Sequence, residues 1–90
     1  MGGIYMNQYT IMTVLINHRS DIAEDVQILL TKFGCNIKMR LGLHEASTIC
    51  AEDGLIILQL TGAKSDINAL SNSLNGVEGV KTQMITLDSE

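Results

Sequence analysis

The sequence predicts an α+β fold in the order βαββαβ, with a four-stranded antiparallel sheet carrying two helices on one face. Three observations predict it. Residues 9–16, 37–44, 55–61 and 80–87 are rich in aliphatic and β-branched side chains over strand-like lengths. Two intervening stretches instead space their apolar residues at the helical period. Glycines 34, 62 and 76 punctuate the boundaries, and there is no proline to break an element. This succession is the ferredoxin-like arrangement, in which right-handed crossovers give the spatial order fourth, first, third, second strand.

Each element has its own grounds. Residues 1–8, with Gly2 and Gly3, read as a loose leader. Residues 9–16 are almost wholly apolar or Thr, so this strand belongs in the sheet interior. Ser20 can cap a helix, and Asp21, Glu24 and Asp25 complement its positive end. Ile22, Val26, Leu29, Leu30 and Phe33 then follow helical spacing, with Gly34 expected to stop the helix in a left-handed conformation. In 37–44, Ile37, Met39, Leu41 and Leu43 alternate with Lys38, Arg40, Gly42 and His44. A regular strand would turn the first set to the core and the second outward. Residues 55–61 form a third strand ended by Gly62. Ser65 is the expected cap of a shorter helix that buries Ile67, Leu70 and Leu74 and ends at Gly76. Residues 80–87 close the sheet, leaving 88–90 as an acidic tail, so 9–87 constitute one domain.

Composition narrows the functional classes. A net charge of −4 argues against a chain that binds nucleic acid by itself, since that affinity comes mainly from Lys and Arg neutralising phosphates. Two cysteines make no disulfide framework, and nothing reads as a secretory signal, so a reduced, cytoplasmic setting is expected. The apolar runs are too short to span a bilayer as a helix.

The predicted topology leaves one sheet face uncovered. If Met12, Val14, Ile16, Ile56, Leu58 and Leu60 lie under the helices, then Ile11, Leu15, Leu55 and Ile57 point away from them. Lys38, Arg40, Lys81 and Gln83 would then rim that apolar centre. Such a patch predicts a homodimer or higher oligomer formed through the sheet face.

Several residues at matching places carry a family resemblance. They are Asn17 and Arg19 after the first strand, Gly34 at the helix end, and Arg40, Leu41, Gly42 and Leu43 in the second strand. The stretch 54–58 follows, then Gly62, Asp66, Ile67 and Leu70, and finally Gly79, Val80 and Lys81. In order and spacing the chain resembles the iron-only hydrogenase system regulators, an ACT-like branch of the ferredoxin-like folds. It departs from them where His18 separates Asn17 from Arg19, and where His44 and Glu45 replace a proline–aromatic pair. The resemblance implies a small regulatory module without its own DNA-binding segment.

ACT-like domains commonly hold a small molecule where the first strand meets the first helix, which here means Asn17, His18, Arg19 and Ser20. A helix N-terminus attracts a carboxylate or phosphate, and Arg19 could clamp it with two hydrogen bonds. The plainer alternative is that Asn17 and Ser20 end a strand and cap a helix. Arg40 and Gly42 extend the expected ligand site along the second strand, where Gly42 would let another backbone or a ligand approach.

The chain is also distantly similar to the C-terminal domain of the nickel-responsive repressor. That likeness implies a second reading, a metal-responsive protein using His44 and Cys50 at a subunit interface. Gly42 occupies a place where a further histidine would be needed, so each chain would supply two donors of the four a square-planar transition metal wants. The alternative is that His44 ends a strand in solvent and Cys50 is a small buried hydrophobe.

Catalysis finds no foothold. Arg19 lacks the glycine-rich anion loop of ferredoxin-like acylphosphatases, and Cys35 and Cys50 do not make the closely spaced pair of copper chaperones. Neither histidine stands at a spacing that suggests a triad. The expectation is a non-enzymatic module.

Overall fold

The computed structural model describes residues 8–17, 20–43 and 54–88. The expected leader up to residue 7, His18 and Arg19, the Ser20 and Leu43 side chains, His44, Cys50 and the last two residues of the expected tail lie outside the described part. The elements are β1 (Gln8–Ile16), α1 (Ser20–Lys32), β2 (Ile37–Leu43), β3 (Gly54–Leu60), α2 (Lys64–Asn75) and β4 (Val80–Asp88). One antiparallel sheet holds them in the order β2-β3-β1-β4, the expected ferredoxin-like topology. β1 is the long interior strand: it pairs with β3 from Thr10↔Leu60 to Ile16↔Gly54 and with β4 from Gln8↔Asp88 to Ile16↔Val80.

The core forms where that register meets the helical stripes. Met12, Val14, Ile56, Leu58 and Leu60 on the sheet pack against Ile22, Val26 and Leu30 of α1 and Ile67, Leu70 and Leu74 of α2. Met12, Val14, Leu58, Leu70 and Leu74 are fully buried. Each side chain of this kind removed from water contributes about 1.5–3 kcal/mol, so this one layer supplies most of the driving force for folding.

Two helix boundaries differ from expectation. Gly34 is not left-handed; it opens a 3-10 turn, Gly34–Asn36, that leads directly into β2. α2 begins at Lys64, with Ala63 as its N-cap and no side-chain cap bond, so Ser65 is inside the helix rather than capping it. Among the described residues, the left-handed glycines are Gly62 (φ 102°) and Gly79 (φ 92°), in the turns that leave β3 and enter β4.

The largest correction concerns β2. Ile37 pairs with Leu60, but Met39 pairs with Gln59, so two residues of β2 oppose one of β3 and Lys38 is the extra one. Such a bulge transfers every later side chain to the opposite face. Ile37 therefore packs against the core, while Met39 and Leu41 stand half exposed on the open face. Arg40, expected on the rim of that face, lies on the helix side. There its Nη2 donates to Gln27 Oε1 of α1 at 2.7 Å.

The open face is accordingly more apolar than expected. Ile11, Leu15, Leu55 and Ile57 lie on it as anticipated, with Leu15 42% exposed. Tyr9, Met39, Leu41, Ile85 and Leu87 enlarge the patch. Among the described residues, no helix is long and apolar enough to cross a membrane.

Candidate functional site

The end of β1 and the start of β4 enclose a cleft of about 260 Å³, lined by Leu15, Asn17, Gly79, Val80 and Lys81. Its geometry follows from the register. Antiparallel pairing sets Leu15 opposite Lys81 and Ile16 opposite Val80, and one further bond, Asn17 N–H to Gly79 C=O at 2.8 Å, locks the two strand ends together. Leu15 and Lys81 share the open face, so the cleft carries one apolar and one cationic flank.

Gly79 makes the close approach of α1 feasible. Its φ of 92° lies in the left-handed region, and a Cβ there would fall 2.6 Å from Ile22 Cδ1 and 3.3 Å from Asn17 Cβ. The first turn of α1 thus rests against the strand that forms the cleft wall. Asn17 is exposed and lines the cleft together with Lys81, so the cleft wall carries an amide and an ammonium, two groups suited to a carboxylate or phosphate oxygen.

Of the expected ligand residues, the structure brings Asn17 to this cleft. Ser20 begins α1 immediately beyond it, while His18 and Arg19 lie outside the described residues. Arg40 and Gly42 are not part of the cleft. They sit on β2, across β3 and β1 from β4, so three strand spacings of about 4.8 Å intervene. A Cβ on Gly42 would meet nothing within 4 Å, so nothing described in this chain requires a glycine there.

The metal reading finds no shell in the described part. Among the described residues, no three of His, Cys, Asp and Glu come together, and His44 and Cys50 lie outside them. Cys35 is exposed on the 3-10 turn at the opposite end of the sheet from the cleft. Sequence reasoning placed Lys81 on the rim of the open face and did not connect it with Asn17. The missing signal was the β1–β4 pairing, which joins residues far apart in the chain.

No protein-family model and no curated protein sequence matches the chain. Solved structures do. An uncharacterized protein from Thermotoga maritima superposes with a TM-score of 0.79 at 26% identity, covering 90% of this chain and 99% of that one. The ACT domain from the GTP pyrophosphokinase of Chlorobium tepidum gives 0.68 at 13% identity, covering 86% and 96%. The CPII protein of Thiomonas intermedia, solved bound to ADP, AMP and acetate, gives 0.56 at 12% identity over 96% and 92%. The fold shared with these proteins is ACT-like.

Proposed function

We propose that this chain is a small oligomeric regulatory or ligand-sensing module that takes an anionic small molecule in the cleft between β1 and β4. It acts without chemistry of its own, as the resemblance to the iron-only hydrogenase system regulators implies. One observation carries the reading: Asn17 and Lys81 face the same cleft, beside the first turn of α1. The fold shared with an ACT domain supports it, as does the binding of ADP, AMP and acetate by a protein of similar fold. A sheet face as apolar as this one supports assembly of copies through it. Neither a membrane nor nucleic acid is a partner in this reading, which fits a net charge of −4 and a cytoplasmic location.

A thermal-shift screen of amino acids and adenine nucleotides tests it, because a ligand that binds only the native state raises the melting temperature. At least one carboxylate- or phosphate-bearing compound is expected to raise Tm, and Lys81→Met is expected to abolish the rise. No shift at millimolar ligand, or a rise that survives Lys81→Met, would remove the cleft from consideration.

A further inference from the structure

The two edges of the sheet are guarded differently. In an antiparallel ladder, residues alternate between those bonded to the neighbouring strand and those whose N–H and C=O point away from it. The bond from Asn17 N–H to Gly79 C=O sets the phase for β1 and β4. Position 81, 83, 85 and 87 bonds then run inward to β1, and those of Thr82, Met84 and Thr86 face outward. One side chain confirms this phase. Thr82 N–H donates outward to Asn75 Oδ1 at 3.1 Å, and Asn75 Nδ2 donates to Thr82 Oγ1 at 2.8 Å. The end of α2 therefore caps Thr82, while the outward Val80 N–H is taken by Val77 C=O at 3.1 Å.

Beyond that cap the edge is open. Among the described residues, nothing pairs with the outward backbone groups of Met84 and Thr86. The other edge, β2, has the devices that discourage strand addition: the bulge at Lys38 and the cation of Arg40. Residues 84–88 have no lysine, arginine, proline or bulge. Ile85 and Leu87 are the most exposed apolar side chains there, 61% and 59% exposed on the open face.

We propose that residues 84–88 of β4 pair antiparallel with the same segment of a second copy, joining two sheets edge to edge about a two-fold axis at Thr86. The occupant follows from self-complementarity. With Thr86 opposite itself, the outward groups of Met84 meet those of Asp88 in the other copy, and all of them find partners. Ile85 of each copy comes opposite Leu87 of the other, an apolar cross-strand pair that continues the exposed patch. The two Asp88 carboxylates face Met84 rather than each other. This interface is distinct from association through the sheet face and does not depend on it. Occupied together, two different two-fold interfaces would build a tetramer rather than a dimer.

Amide hydrogen exchange read residue by residue, with sedimentation on the same full-length chain, tests the pairing. The Met84 and Thr86 amides are expected to become protected at high micromolar concentration and to exchange freely on dilution. The Ile85 amide, bonded to β1, should stay protected throughout. Thr86→Pro removes an outward N–H without touching the β1 ladder and is expected to halve the sedimenting mass. Thr86→Val keeps that N–H while losing the Thr10–Thr86 hydroxyl contact of 3.3 Å, and is expected to leave the assembly intact. Leu41→Lys, on the open face, is expected to leave Met84 and Thr86 protected. Free exchange of these two amides at every concentration would overturn the proposal. So would their protection in a chain that sediments as a monomer, or an assembly unchanged by Thr86→Pro.

Discussion

The two faces of this sheet are built from the same kinds of residue and have opposite fates. On one, Met12, Val14 and Leu58 are wholly buried beneath α1 and α2. On the other, Leu15, Leu41, Ile85 and Leu87 retain between 42% and 61% of their surface. Residue type alone does not separate them, because large aliphatic side chains are prominent on both faces. What separates them is which face the two crossover connections cover. The covered face stabilises the monomer, whereas the open face leaves apolar area that nothing among the described residues removes from water.

Substitution on each face sharpens that contrast most. Leu58→Ala leaves a cavity under both helices and is expected to cost about 2–5 kcal/mol of unfolding free energy in urea titration. Leu41→Ser on the open face is expected to change monomer stability by less than about 1 kcal/mol while lowering the sedimenting mass. If the two variants lose similar stability and neither changes assembly, the distinction between the faces fails.

Gly79→Ala probes the junction where the faces meet. It forces a Cβ into the left-handed region and against Ile22 and Asn17. The left-handed conformation alone costs about 1–2 kcal/mol, and the crowding adds to it. Loss of any ligand-induced rise in Tm should accompany the destabilisation, since the cleft wall moves. The smallest effect is expected from Arg40→Ala. It removes an exposed hydrogen bond between β2 and α1, for less than about 1 kcal/mol by urea titration. A much larger loss would mean that Arg40 belongs to the core side in a stronger sense than one surface bond.

These residues also show where sequence reasoning reached and where it stopped. Strand order, both helices and the sorting of β1 and β3 into covered and open faces were legible, because long, regular apolar patterns specify them. β2 was misread because its alternation is internally perfect: a shift of one residue leaves the pattern intact while exchanging the faces. No glycine marks the bulge at Lys38, so nothing local announced it. The start of α2 was misplaced because Ser65 is the better capping residue, yet the chain enters the helix through Ala63. Asn17 was legible as a strand-end polar group. Its cleft neighbour Lys81 was not, because register between the first and last strands is a property of the whole fold.

That register also fixes how the domain would be held by anything attached to it. Gln8 and Asp88 are direct partners, so the described strands begin and end side by side at one corner, about one strand spacing apart. A tension applied through both ends would peel β1 from β4 one hydrogen bond at a time instead of shearing the whole ladder at once. Tethered by its two ends, the domain is mechanically soft. As an insertion into another chain, however, it would demand almost no separation between the two points of attachment.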